Sequence, residues 1–183
     1  MGENDFQGRL MPGERIAWTG APATGLLLTG RDIFLIPFSL LWGGFAVFWE
    51  WGVLHTANAI AIFPLFGIPF VAIGLYFIAG RFFVDAWARG QTRYAVTNQR
   101  ILILRLGPPF AKFTALAINR LPELALDERG DGRGTIRFQP AQPMWNNRNW
   151  SSWTPALDPT PQFLSIADAR GVFDRIQRAS QTG

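Results

Sequence analysis

The sequence predicts an α+β protein in which a membrane-spanning pair of helices carries a small all-β domain that ends in one helix. Two long apolar runs, residues 33–54 and 60–83, follow each other closely. Short stretches of β-branched and large apolar residues come next, and the chain ends with apolar residues at helical spacing. The 183 residues include no cysteine, so disulfides and thiolate chemistry are excluded.

Each apolar run is long enough to cross a hydrocarbon core, which requires about 20 mainly apolar residues. Inside either run, Glu50 is the one formal charge before Arg81, and it lies between two tryptophans near the end of the first run. The linker at residues 55–59 is too short for a domain, so the helices are expected to form an antiparallel hairpin. In a soluble alternative, the rest of the chain would offer too little surface to cover two such helices.

Arginines flank the hairpin on one side only. Arg15 and Arg31 precede the first run, Arg81, Arg89 and Arg93 follow the second, and the linker has none. The positive-inside rule therefore places both termini in the cytoplasm. We expect a cytoplasmic N-terminal segment at residues 1–32, the hairpin at 33–83 and a cytoplasmic domain at 90–183.

The N-terminal segment contains one short structural signal. A Pro-Gly turn at residues 12–13 precedes Ile16 and Trp18, which alternate as in a β-strand. Residues 20–30 are expected either to lie at the membrane surface or to act as a plain connector. Inside the hairpin, prolines predict kinks and glycines predict close helix contacts. These residues are Pro37, Pro64, Pro69, Gly43, Gly44, Gly67 and Gly74.

After Arg81 the apolar pattern changes to that of strands. The expected strands pair in an antiparallel meander that begins with a tight turn at Asn98-Gln99. A segment rich in Pro, Asn and Trp, residues 140–161, separates the meander from a further strand at 163–166. The five strands of the meander are 92–97, 100–106, 110–118, 124–128 and 135–139.

The chain is expected to end in an amphipathic helix that covers a small sheet or barrel. Ser165 with Asp168 three residues later resembles a capping box, which would start the helix. The apolar residues that fall on one helical face are Ile166, Ala169, Val172, Phe173 and Ile176.

The motif Tyr94-x-x-Thr97-x-x-Arg100, with the apolar strand 101–104 and Gly107 behind it, resembles the signature of bacterial pleckstrin-homology-like domains. The segments 10–22, 132–138 and 163–166 and the two spans follow the same order as in small membrane-anchored members. The resemblance implies a two-sheet, partly open split barrel capped by the C-terminal helix, held under the bacterial inner membrane by the hairpin. It implies no established reaction. The turn at Asn98-Gln99 is too short for the basic loop of phosphoinositide-binding members.

The inventory of reactive groups argues against an enzyme. With no cysteine and a single histidine, His55, at the outer end of the hairpin, no thiol nucleophile, cytoplasmic histidine base or His/Cys metal site is expected. We therefore predict no catalytic residue, no cofactor and no metal. Asp127, Glu128 and Asp131 form either a cation site or a solvated turn. Glu50 and His55 have either a proton-linked role or simple solvation at the rim.

The tail from residue 81 is basic, with fourteen Lys and Arg against eight Asp and Glu. Arg81, Arg89 and Arg93 are positioned either to attract anionic lipids or only to fix the hairpin's orientation, and Arg148 is a further lipid candidate. No nucleic-acid motif accompanies the charge. The aromatic candidates Trp145, Trp150 and Trp153 would dip into the membrane, contact a protein, or plug the open barrel.

The expected function is a non-enzymatic, membrane-tethered scaffold for self-assembly or for a protein partner. The alternatives are an anionic-lipid-sensing module that uses Arg81, Arg89, Arg93 and Arg148, and an accessory subunit of a transporter or channel that uses Glu50. Expected partners are membrane lipids and a protein partner or second copy, not a nucleic acid or a small-molecule substrate.

Overall fold

The computed structural model describes residues 4–56, 62–109, 111–140 and 154–182. The protein is α+β, with two long apolar helical segments, two antiparallel sheets and a C-terminal helix. It divides into two compact units. The helical unit comprises Leu26–Val84, and the β unit comprises Met1–Gly25 with Asp85–Gly183.

The helical unit confirms both predicted helices. Helix α1 covers Asp32–Leu54, and α2 covers Ile62–Leu75. A π-helical turn at Tyr76–Gly80 leads into α3, Arg81–Gly90, so the second helical segment continues seven residues beyond the predicted end at residue 83. No proline or glycine stands between Arg81 and Gly90 to stop it. Both segments are long and apolar enough to span a membrane.

Close packing of α1 on α2 depends on two glycines. The buried positions of α1 follow one face, from Leu35 through Ser39 and Gly43 to Ala46. A Cβ atom at Gly74 would lie 2.8 Å from the Cα of Gly43, which is closer than real Cβ atoms approach. The predicted helix contact at Gly43 and Gly74 is therefore confirmed, whereas nothing lies within 4 Å of a Cβ atom built at Gly44.

The first sheet has the strand order β1-β2-β3-β4 and is antiparallel throughout. The strands are β1 Ile16–Gly20, β2 Thr92–Thr97, β3 Arg100–Arg105 and β4 Lys112–Ala117. The predicted hairpin of β2 and β3 is confirmed. The N-terminal strand β1 pairs with β2 across the intervening helices, with Thr19 opposite Ala95.

The second sheet has the order β5-β6-β7, with β5 at Ala125–Glu128, β6 at Gly134–Arg137 and β7 at Gln162–Ile166. Helix α4, Ala169–Thr182, supplies the rest of the main core. The core unites both sheets and α4, and its fully buried members include Val96, Ile101, Ile136, Phe163, Val172 and Ile176.

One connection differs from the sequence-based expectation. The meander is not continuous, because a 3₁₀ turn at Ile118–Arg120 separates β4 from β5, and the two strands belong to different sheets. The described strands form two antiparallel sheets and no closed barrel.

The start of the last helix is also different. Asp168, not Ser165, caps α4, since its Oδ1 accepts a hydrogen bond from the backbone N–H of Gly171 at 3.2 Å. Ser165 is the penultimate residue of β7. A positive φ of 48° at Asp168 turns the chain from the strand into the helix.

Candidate functional site

Much of the described surface of the helical unit is apolar. The candidate spans are only 28% and 22% buried, whereas the core helix of a soluble protein is mostly buried. Large apolar side chains that face outward occur along both helices, and they include Phe34, Leu41, Phe45, Phe48, Leu65, Phe66 and Ile68. Helices that are apolar all round are found inside large cores or in membranes.

An ion pair joins the two ends of this unit. Arg81 Nη1 donates to Asp32 Oδ1 at 2.5 Å, and both side chains are almost fully buried. Asp32 Oδ2 also accepts from the backbone N–H and hydroxyl of Thr29, at 2.6 and 2.9 Å. Arg81 Nε donates to the carbonyl of Phe77, and its guanidinium lies 4.2 Å from the ring centroid of Phe82. The pair therefore fastens the start of α1 to the start of α3.

The motif residues Thr97 and Arg100 belong to a buried network around Glu14. Thr97 Oγ1 donates to Glu14 Oε1 at 2.7 Å, and Arg100 donates from Nε and Nη2 to both carboxylate oxygens, at 3.1 and 2.5 Å. The backbone N–H of Met11 donates to Glu14 Oε2 at 2.7 Å. Burial alone would raise the pKa of Glu14, but these hydrogen bonds outweigh it and lower the pKa to about 2.

Thr97 also shapes the tight turn, because its hydroxyl oxygen accepts from the backbone N–H groups of Gln99 and Arg100. Tyr94, the first residue of the motif, connects the two sheets. Its hydroxyl oxygen accepts a hydrogen bond from the backbone N–H of Leu164 on β7 at 3.1 Å. Burial raises the pKa of Tyr94 to about 12. All three motif residues thus hold the fold together.

Arg89 is buried in the β unit and organises three segments. Its Nε donates to Asp85 Oδ2 at 2.7 Å, and its Nη atoms donate to the carbonyls of Ala23 and Gly25. Asp85 Oδ1 in turn accepts from the backbone N–H of Ala156 at 2.8 Å. The pair therefore ties α3 to the N-terminal connector and to the segment that begins at Thr154.

These contacts correct part of the expected lipid site. Arg81 and Arg89 are 4% and 2% exposed, and each is ion-paired, so neither is available to lipid head groups. Arg93 is partly exposed, and its Nε lies 3.7 Å from Asp5 Oδ2. Arg148, Trp145, Trp150 and Trp153 lie outside the described residues.

The remaining polar candidates have ordinary surroundings, with one exception. Each acidic residue of the 127–131 cluster has an arginine partner: Asp127 pairs with Arg137, Glu128 with Arg170 and Asp131 with Arg133. Within the described residues no group of three or more potential ligands could hold a metal ion. His55 is exposed and its Nδ1 lies 2.7 Å from the carbonyl of Trp51.

Glu50 is the exception, because its Oε2 is buried and has no hydrogen-bond partner among the described residues. Its carboxylate lies against Gly67, where an added Cβ atom would be 1.6 Å from Oε2. The predicted close contact at Gly67 is thereby confirmed, with Glu50 as the contacting group. The Oε2 atom of Glu50 therefore faces α2.

The β unit contains a cavity of about 160 Å³ that the sequence did not predict. Its floor is the end of the first sheet, where Thr92, Arg105 and Lys112 lie opposite one another on β2, β3 and β4. Its roof is the proline-rich segment 155–162. Arg105 Nη2 donates to the carbonyl of Ala156, whereas its buried Nε has no partner among the described residues.

The class defined by these features is an α+β protein with two helices long and apolar enough to span a membrane and a two-sheet domain with a C-terminal helix. No protein-family model matches the chain, and neither a curated protein nor a solved structure matches it.

Proposed function

We propose that this chain is a non-enzymatic integral protein of the bacterial inner membrane. In this proposal the β unit is a pleckstrin-homology-like split barrel that serves as a membrane-tethered scaffold for a protein partner or a second copy. The observation that carries the proposal is the outward-facing apolar surface around α1 and α2. Exposure of that surface to water would be unfavourable, since monomeric soluble proteins rarely expose apolar patches larger than a few hundred Å².

The polar contacts of the β unit support a binding role rather than a catalytic one. Glu14, Asp85, Arg89 and Arg100 are all engaged in ion pairs that hold segments together. A scaffold needs accessible strands, and β4 is an edge strand of the first sheet with Phe113 38% exposed. Edge strands of this kind can pair with a strand of another chain.

The lipid-sensing alternative now has weaker support. Two of its four arginines are buried in ion pairs, and Arg93 is the described one that keeps a partly exposed side chain. The alternative role as a transporter or channel subunit depends on Glu50, whose buried Oε2 lies between the two helices. The test of that role is E50Q in a host that depends on the protein. An unchanged phenotype refutes the role.

The proposal is tested with the full chain expressed in bacterial membranes. We expect the chain to stay in the membrane pellet after alkaline carbonate extraction. We also expect a photoactivated crosslinking residue at position 113, in place of Phe113, to form crosslinked species. The same crosslinker at Gln177, on the exposed side of α4, is the control for random collision. Extraction by carbonate refutes the membrane assignment, and recovery of free monomer alone from Phe113 refutes the scaffold.

A further inference from the structure

The floor of the cavity in the β unit brings two positive charges together. Antiparallel pairing places Arg105 of β3 directly opposite Lys112 of β4, with both side chains in the lining of the cavity. Like charges at directly opposed positions destabilise a sheet. The placement of two cations side by side in one cavity is therefore the first indication of an anionic ligand.

The second indication is the state of the Arg105 guanidinium. Its Nε is buried without a hydrogen-bond acceptor among the described residues, and burial lowers the pKa of Arg105. A buried N–H group without an acceptor is costly, because water no longer solvates it. The contact from Nη2 to the carbonyl of Ala156 fixes the guanidinium beside the cavity.

Two acidic residues near the cavity have hydrogen-bond partners other than Arg105 and Lys112. Asp85 is occupied by Arg89 and the backbone N–H of Ala156. Asp158 also lines the cavity, and its Oδ1 accepts the backbone N–H of Thr160 at 2.9 Å. No ion pair of Arg105 or Lys112 with an acidic side chain is present in the described part of the chain.

The size and lining of the cavity define the ligand. A volume of about 160 Å³ is close to that of the ~150 Å³ engineered cavity that binds benzene, so a small molecule fits. Thr114 and Thr160 also line the cavity. Arginine, lysine and threonine side chains in one lining suit an oxyanion with several acceptor oxygens, and guanidinium groups match phosphate geometry well.

We propose that this cavity binds a phosphate group, either free or as a phosphate monoester, between Arg105 and Lys112. The site lies wholly within the β unit, so it does not depend on the membrane proposal. The phosphate would come either from the solution or from a lipid head group. The experiment separates these sources.

The experiment uses the full chain in phosphatidylcholine nanodiscs and inorganic phosphate as the probe. Saturable broadening of the phosphate signal in phosphorus NMR is expected at millimolar concentrations, and sodium chloride of equal ionic strength should not abolish it. R105Q and K112Q should each weaken binding about tenfold or more, as expected for loss of one charge-assisted contact. R175Q, which removes an exposed arginine on α4, is the matched control and should bind like the parent.

The design distinguishes a ligand site from a structural role. K112Q changes an exposed position, so it remains informative if circular dichroism shows that R105Q does not fold. Without phosphate, K112Q should be as stable as the parent or more stable, since it removes a like-charge contact.

Nanodiscs that contain phosphatidic acid identify the source of the phosphate. If that lipid displaces inorganic phosphate, the ligand is a head group, and if it does not, the ligand comes from solution. Absence of saturable binding overturns the proposal. The proposal is also overturned if sodium chloride of equal ionic strength abolishes phosphate binding, or if R105Q and K112Q both bind phosphate like the parent.

Discussion

At the scale of single residues, Glu14 makes the stability of the β unit depend on pH. Its pKa falls from an ordinary 4.5 to about 2 in the folded protein, so the folded state favours the ionised carboxylate. The resulting stabilisation is present above the unfolded pKa and is lost as the pH falls through the folded pKa. A shift of this size corresponds to about 3 kcal/mol, lost between about pH 5 and about pH 2.

Exchange of Glu14 for Gln should therefore lower the free energy of unfolding by about 3 kcal/mol at neutral pH, because Arg100 loses its buried partner. The difference between E14Q and the parent should narrow as the pH falls toward 2, because the parent's carboxylate is progressively protonated and loses its charge. Urea unfolding of the full chain, followed by circular dichroism at several pH values, measures it.

The matched control is E128Q, which removes the exposed partner of Arg170. An exposed pair of this kind is worth about 1 kcal/mol or less. A difference between E14Q and the parent that stayed constant across the acidic range would show that Glu14 does not carry the pH dependence.

The motif at residues 94–100 could be recognised from the sequence, but the partners of its residues could not. Resemblance to a known family signature identified Tyr94, Thr97 and Arg100 as a unit. Glu14 stands 83 residues before Thr97, and only the pairing of β1 with β2 brings the two side chains to hydrogen-bonding distance. The juxtaposition of Arg105 and Lys112 could not be predicted for the same reason, because the register of β3 and β4 places them opposite each other.

At the scale of the elements, the glycine crossing of α1 and α2 predicts a strong position effect. G74A should destabilise the full chain in detergent by about 1–3 kcal/mol, because the added methyl group meets the backbone of Gly43 at 2.8 Å. The helices would have to move apart and lose contacts along their shared face. Thermal unfolding followed by far-UV circular dichroism in one detergent measures the shift.

G44A provides the matched control on the neighbouring residue. Nothing lies within 4 Å of its added Cβ atom, and alanine favours a helix over glycine by about 1 kcal/mol. G44A should therefore be neutral or stabilising. Equal effects of the two exchanges would contradict the close crossing at Gly43 and Gly74.

Most elements could be predicted from local patterns, whereas their ends and partners could not. Apolar length predicted α1 and α2, and short stretches of strand-forming residues between turn signals predicted all seven strands within a few residues. Helix α3 continues to Gly90 because helical hydrogen bonding extends beyond residue 83, where the apolar run that predicted the second span ends. The cap at Asp168 depends on a backbone turn with positive φ, which the capping-box spacing at Ser165 does not indicate.

At the scale of the whole molecule, the order of the chain constrains its topology. Strand β1 precedes the helical unit and β2 follows it, yet the two strands are neighbours in one sheet. A membrane crossed by α1 must be crossed back by the second helical segment before β2 can pair with β1. The segments at both ends of the chain therefore belong on the same side of any membrane that the helices span.

The absence of cysteine in the sequence allows this topology to be mapped with single introduced cysteines. Gln7, Thr56 and Gln177 are exposed positions before, between and after the two spans, and each is replaced by Cys in turn. In intact spheroplasts a membrane-impermeant maleimide should label T56C alone, since the positive-inside rule predicts that the arginine-rich ends are cytoplasmic. Q7C and Q177C should become labelled only after the membrane is opened. If Q7C and Q177C are labelled in intact spheroplasts and T56C is protected, the orientation is the opposite of the expected one. If Q7C and Q177C are found on opposite sides of the membrane, the result contradicts the pairing of β1 with β2 across two spans.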